Sequence, residues 1–452
     1  MYEKYFVAGL EIWSAIIFLL YIFPPSQIKL EIGSITRREK KICCVVIGLL
    51  VAICIAPMSW NPHWTGELHK HQNQYQELAD AFLSGKIYID KPVNPRLATM
   101  ENPYDPQARA ELNFGEDDEW AWDHAFYKGR FYVYFGAVPA LLIFLPYKLI
   151  IGEPLAAYHG TQIFVAFFII GVFALFFLLA KKFFPRLPFI FYLIMSSTLS
   201  FISISYCIKE PALYCTASSS GLCMEVWSLY FFISAAWGND SLRKFLMKIF
   251  FGATLGALAF GCKPTVALAS FLVVTILPVL LKKYNSIKVW IVLIFPYFFI
   301  GLILMTYNYL RFDSVLEFGQ SYQLTIVDQH NYGKFFERFS LSEQAGGLLQ
   351  NFFGIDCGLP RGDDKPVGIF RYAIFWFPIF LLRKDIRTIL SRNKLNGMIA
   401  GMAIMPVIIE VMVVQWAPVV LLRYEMEWSW LMGMMSYVVG GVEYEENQLR
   451  EG

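Results

Sequence analysis

Two carboxylates and three cations stand out, because the residues around each would hold it in one place. Asp105 lies in ENPYDPQAR and Asp123 in WAWDHAFYKGRFYVYFG. Aromatic residues and Pro or Gly turns flank both. A carboxylate fixed beside Trp122, Tyr127 and Tyr132 is raised in pKa by partial burial, which suits a general base near neutral pH. The cations are Lys263, Arg311 and Arg423, each at the end of an apolar run. Lys and Arg form charge-assisted hydrogen bonds with phosphate, so three of them converging would take an anionic lipid head group. Tyr104, Arg109, Trp122 and Tyr132 complete the candidate substrate-binding set, with Asp105 and Asp123 as the candidate catalytic residues. The acidic run Glu116, Asp117, Asp118 and Glu119 reads as a solvated face or a loose cation site, so a divalent cation is the one cofactor that this text suggests. His124, next to Asp123, is a lone histidine and reads as incidental. No CxxC, HExxH, GxGxxG or P-loop spacing is present.

The elements that must position these residues are apolar. The chain has 452 residues, 57% hydrophobic and 17% aromatic, but only 16% charged. A soluble domain is nearer a quarter charged, and repeated apolar runs of membrane length set the class. The fold class expected is an all-α, polytopic membrane protein of about 11 transmembrane helices. A long external first loop would carry juxtamembrane helices. Tyr5–Phe23 reads as a retained span, not a removable signal. The eight Cys give no disulfide framework.

Charge orients the spans. Lys and Arg clusters at 28–41, 181–186, 243–248, 282–288 and 383–394 all become cytoplasmic if one apolar run, Val133–Ile151, stays on the outer side as an interfacial or re-entrant segment. The remaining runs, Ile42–Trp60, Gly160–Ala180, Leu187–Ile208, Gly221–Trp237, Leu246–Gly261, Thr265–Leu281, Val289–Tyr309, Ile369–Leu382, Asn396–Val414 and Glu427–Val442, then cross. This gives two N-terminal helices (1–60), an external loop (61–152), a helical block (153–310), a second external loop (311–367) and C-terminal helices with a cytoplasmic acidic tail (368–452). The acidic, aromatic loop and the candidate cations share the outer face. QYQELADAFLSGK within the loop has helical periodicity.

The long external loop, the amphipathic QYQELADAFLSGKIYI and the segment YVYFGAVP resemble the GT-C superfamily of integral-membrane glycosyltransferases, which use polyprenyl-phosphate-linked sugars. ENPYDPQAR, WDHAFYKGRFYVYFGAVPALLIFLP, FGCKPT, YNYLRFDSVLEFGQSYQLT and RYEMEW look like an uncharacterised bacterial branch of it. The resemblance covers most of the chain beyond Trp60. It implies transfer of a sugar to a glycan, lipid or protein acceptor of the cell envelope, on the outer face of the cell membrane. The chain departs from the pattern at two places. His71 and Gln72 stand where many members carry an acidic pair, and Tyr134 to Ala137 replace a Phe-Glu-Lys-Pro segment. The acid role then falls to Asp105 or Asp123, and the phosphate role to Lys263, Arg311 or Arg423. Two other functions fit the same composition: a transporter or flippase of lipid-linked sugars, and a catalytically inactive GT-C-like scaffold. A transporter should carry charges near the bilayer midplane, whereas here they gather toward the outer ends. No partner of nucleic-acid type is expected.

Overall fold

Apolar runs that cannot hydrogen-bond to their surroundings must satisfy their backbone internally, and helices do so residue by residue. The computed structural model describes residues 2–23, 30–60, 62–65, 73–111, 121–211, 213–331, 339–359, 368–416 and 421–451. These are overwhelmingly helical. The principal helices are α1 (Tyr2–Ile22), α2 (Arg37–Ile55), α3 (Gln74–Leu83), α4 (Ala157–Phe183), α5 (Phe189–Lys209) and α6 (Leu213–Trp237). They continue with α7 (Leu242–Phe260), α8 (Leu272–Lys283), α9 (Ile287–Phe312), α10 (Leu341–Phe353), α11 (Asn396–Trp416) and α12 (Leu422–Glu451). Local signals set several boundaries. Thr36 caps α2: its hydroxyl accepts from Arg38 N and donates to the Glu39 carboxylate, which also accepts from Thr36 N at 2.8 Å. α3 buries Tyr75, Leu78 and Ala79, one apolar stripe of a helix whose other face is wet.

Six helices among the described residues are long and apolar enough to cross a membrane. The protein therefore has the helices of a membrane protein, but not every expected span meets that standard. α6 is a case in point. It sits at the centre, packed by α4, α7 and α8, and buries Thr216, Ser218, Ser219, Ser220 and Glu225. A helix that meets only other helices need not be apolar all round. α9 is the opposite case, with Ile291, Ile294, Phe295, Phe298, Phe299 and Leu302 all exposed, a surface that a bilayer would cover.

Two expectations about particular runs come out differently from each other. Within Val133–Ile151 only Ala140–Ile151 is helical, opening with a π turn, and it is too short to cross. That is compatible with an interfacial segment. The expected span Ile369–Leu382 is instead two 3₁₀ stretches, Ile369–Arg371 and Ala373–Leu382, with Pro378 inside the second. Its Phe377 packs on Phe18 and Tyr21 of α1, with ring centroids 4.9 and 5.1 Å apart. The expected acidic tail is likewise not a tail. α12 runs on to Glu451, and its acids find cations: Glu443 pairs with Arg383 at 3.2 Å, and Glu445 lies 3.8 Å from Arg186 Nε and accepts from its backbone N at 2.8 Å.

These bonds gather the basic clusters at one end of the bundle. Arg450 reaches Asp385 at 2.7 Å, Trp237 donates to the Asn393 carbonyl, and Tyr284 to the Asp240 carbonyl. Ile32 N and Gly33 N donate to Leu187 O and Pro185 O. The other end carries the loops and the candidate site.

Candidate functional site

The first loop is organised by a hairpin that sequence periodicity did not announce. β1 (Ala125–Tyr127) and β2 (Arg130–Tyr132) pair antiparallel through a two-residue turn, Lys128 at φ 49° and Gly129 at φ 70°. Two left-handed residues are what a type I′ hairpin turn requires. The second loop zips onto the strand leading in. Asp123 N donates to Leu324 O and Leu324 N to His124 O, both at 2.9 Å. Arg109 clamps the same loop, donating to Thr325 O and, at 2.6 Å, to Pro103 O.

Past the hairpin, residues 134–138 dock on the break between α7 and the short helix Pro264–Ala267. Val138 N donates to Gly261 O at 2.9 Å, and Gly136 N to Cys262 O at 3.3 Å. A Cβ at position 136 would lie 1.9 Å from Gly261 O, so only glycine permits the approach. The break ends α7 at Phe260, and Lys263 is the residue before Pro264, which starts the next helix.

Between these pieces lies a cavity of about 510 Å³. Four motifs supply much of its wall, together with Tyr214 of α6 and Val413 and Trp416 of α11. Trp122, Tyr134 and Phe135 come from the first loop, and Lys263, Pro264 and Thr265 from FGCKPT. Gln320, Gln323 and Thr325 come from the second loop, and Arg423, Tyr424 and Glu427 from RYEMEW. Rings and carboxamides dominate, with two cations and one acid among them.

The two cations stand differently. Lys263 forms an ion pair with Glu427 at 2.5 Å and donates to Ser218 Oγ at 3.0 Å; Glu427 also accepts from Thr265 Oγ1. Arg423 forms no ion pair with a described carboxylate. Its guanidinium lies 4.0 Å over the Tyr214 ring and 5.3 Å from that of Tyr424, and its Nε has no hydrogen-bond partner. Tyr424 also hydrogen-bonds the guanidinium, and a cation stacked on rings with one donor unmet can take an anion.

Asp123 stands one layer behind the wall. It is 3% exposed and adopts φ 55°, an uncommon conformation for a non-glycine residue. Gln323 Nε2 donates to its Oδ1 at 2.8 Å, and Gln74 Nε2 to its carbonyl at 2.8 Å. Burial pushes its carboxyl up to about 6, against the opposing field of Arg423 and the Gln323 bond. The neighbouring His124 is not incidental in the fold. Its ring bridges Trp122 O at 2.9 Å and Glu77 Oε2 at 3.1 Å, and Glu77 in turn holds Lys91 at 2.7 Å.

The structure does not bring the other candidates to the cavity. Asp105 Oδ1 accepts from Gln107 N at 2.8 Å and Ala108 N at 3.3 Å, so it caps the helix Pro106–Glu111. Arg311 is buried with its guanidinium bonded to Val133 O and Asn308 Oδ1, both at 2.6 Å. Tyr104 donates to Phe126 O at 2.8 Å. Tyr132 packs on Phe312, 5.3 Å between centroids. All four brace the loops, whereas Trp122, Lys263 and Arg423 face the cavity. Glu116 to Glu119, His71 and Gln72 lie outside the described residues. Among the described residues no group of three His, Cys, Asp or Glu side chains is placed to hold a metal ion.

Glu427 and Thr265 are among the wall residues that the sequence reading passed over as site residues. A signal existed for each. Glu427 follows Arg423 by four positions and so shares its helix face, and Thr265 is two beyond Lys263. No protein-family model, curated protein sequence or solved structure matches the chain.

Proposed function

We propose that the protein is an integral-membrane glycosyltransferase that moves a sugar from a polyprenyl-phosphate-linked donor to a cell-envelope acceptor. One observation carries the reading: Arg423, a cation without an ion pair to a described carboxylate, lines a cavity rich in aromatic rings and carboxamides. An anionic group would sit against Arg423 and Lys263, while rings and carboxamides suit the faces and hydroxyls of a sugar. In this reading the chain crosses the membrane about eleven times, with the basic end in the cytoplasm and the cavity outside.

The chemistry divides among the residues as follows. The acceptor hydroxyl attacks the anomeric carbon as the bond to the phosphate oxygen breaks. Lipid phosphate leaves with the electron pair, stabilised by Arg423 and Lys263. The hydroxyl proton passes to Asp123, whose carboxyl near 6 suits proton transfer close to neutral pH and which reaches the cavity when the Gln323 carboxamide gives way.

The test is binding in nanodiscs. Wild-type protein should hold a polyprenyl phosphate more tightly than the uncharged polyprenol. Arg423→Ala should weaken the phosphate lipid roughly ten- to hundredfold, the worth of a hydrogen bond to a charged group, and leave the alcohol unchanged. Equal affinity of the wild type for phosphate and alcohol would sink the reading.

A further inference from the structure

Lys263 and Arg423 both reach the cavity, yet only one of them brings net charge to it. The Lys263 ammonium is 2.5 Å from Glu427, in a pair whose side chains are 13% and 0% exposed. The Glu427 side chain is fully buried at the cavity wall, and the Thr265 hydroxyl and Lys263 are its described hydrogen-bond and ion-pair partners. The wall thus carries two positive charges and one negative. The other acids nearby lie outside the wall, each hydrogen-bonded to a neutral donor. Glu410 accepts from Asn351 and, at 2.9 Å, from Trp428 Nε1; Glu425 accepts from Gly368 N at 3.3 Å; Glu210 accepts from Tyr206 at 2.8 Å. Asp123 lies behind Gln323, outside the wall, where its carboxylate acts on Arg423 at pH 8.

We propose that Glu427 is a specificity-determining residue: by neutralising Lys263 it sets the cavity wall at one net positive charge, and so selects a monoanionic phosphodiester head group over a dianionic phosphomonoester. This rests on the reading of the cavity as a lipid-phosphate site and goes on to name the charge class it takes. A second negative charge brought into the cavity would meet no uncompensated cation, and burying an unpaired charge is costly. The selection also bears on turnover. Transfer of the sugar turns a phosphodiester into a phosphomonoester, whose second ionisation is near pH 6. The product therefore gains a charge that the wall does not match, and release is favoured.

The experiment measures binding of undecaprenyl phosphate and of its methyl ester to full-length protein in phosphatidylcholine nanodiscs at pH 8, with polyprenol as reference. The wild type should prefer the methyl ester, a monoanion. Glu427→Gln keeps an acceptor for Lys263 and Thr265 but adds one net positive charge, and should move the preference toward undecaprenyl phosphate by about tenfold or more. The double variant Lys263→Met with Glu427→Gln returns the wall to one positive charge and should restore the wild-type preference. An unchanged ratio in Glu427→Gln overturns the proposal. A measurement on the unaltered wall guards against a variant that fails to fold: the wild-type ratio of the two affinities should approach one as pH falls from 8 to 5.5, and a ratio that stays constant equally overturns it. The pH comparison is repeated in Asp123→Asn, in which that carboxylate no longer titrates, and the same outcomes decide it. If neither anionic lipid outbinds polyprenol, the functional reading itself fails instead.

Discussion

Asp123 carries a conflict that can be read in its stability. Its carboxyl is pushed up to about 6 by burial, although Arg423 and Gln323 oppose the push. The unfolded chain would hold it near 3.9. A group whose folded pKa is raised adds stability that is fully present below the unfolded value and is lost as pH rises through the folded one. Ionised Asp123 therefore weakens the fold above about pH 6, by on the order of 3 kcal/mol at most. Asp123→Asn does not titrate and retains an oxygen for Gln323. Its melting temperature should exceed the wild type's at pH 8, with the difference shrinking as pH falls from about 6 and vanishing below about pH 4. The same variant should lose transfer by two to four orders of magnitude, roughly, as removal of a general base does. A variant less stable than wild type at pH 8 would mean that the Arg423 field dominates burial.

At the scale of elements, the cavity depends on a loop segment seated in a helix break. Gly136 meets the Gly261 carbonyl so closely that no side chain fits, and the residues two and three beyond Gly261 are Lys263 and Pro264. Gly136→Ala should expel segment 134–138, cost about 1–3 kcal/mol as overpacking against backbone does, and abolish preferential binding of the phosphate lipid. Gly301→Ala, where a Cβ meets nothing within 4 Å, should leave both stability and binding unchanged. If the two variants melt alike, the docking of this segment contributes nothing. Much of this element was legible beforehand. YFGAVP and FGCKPT both stood out by their Gly and Pro, and QYQELADAFLSGK folds as the helix its periodicity required. That the two motifs meet was not legible, since they are over a hundred positions apart and the contact is made by backbone. Asp105 had a plainer signal that a catalytic assignment overrode: Asp before Pro is a helix cap followed by the residue favoured at the first helical position. Arg311 could not have been placed from sequence, because the Val133 carbonyl that occupies it lies in another loop.

The whole molecule is polarised by its charges. Arg186, Arg383, Arg450 and acids of α12 are bonded at one end; Asp240 ties the basic stretches around Lys248 and Tyr284 to each other, and nearby Trp237 bonds to Asn393. The hairpin with Lys128 and Asp313 lies at the other end, with the cavity beneath it. Basic clusters remain on the cytoplasmic side of a membrane, since moving them across it is opposed during insertion. Between the ends, α9 and α2 present exposed apolar faces of the kind that lipid covers. A membrane-impermeant maleimide added to intact cells should therefore modify Lys128→Cys and leave Arg38→Cys and Lys384→Cys untouched, all three being exposed residues. The native exposed thiols Cys44 and Cys357 are first replaced by Ser so that the reading is clean. Lysing the cells should render Arg38→Cys and Lys384→Cys reactive, which separates a protected site from a buried one. Modification of Lys128→Cys and Lys384→Cys from the same side would place both ends in one compartment. The helices between them would then not cross, and an outward-facing lipid-phosphate cavity would be ruled out.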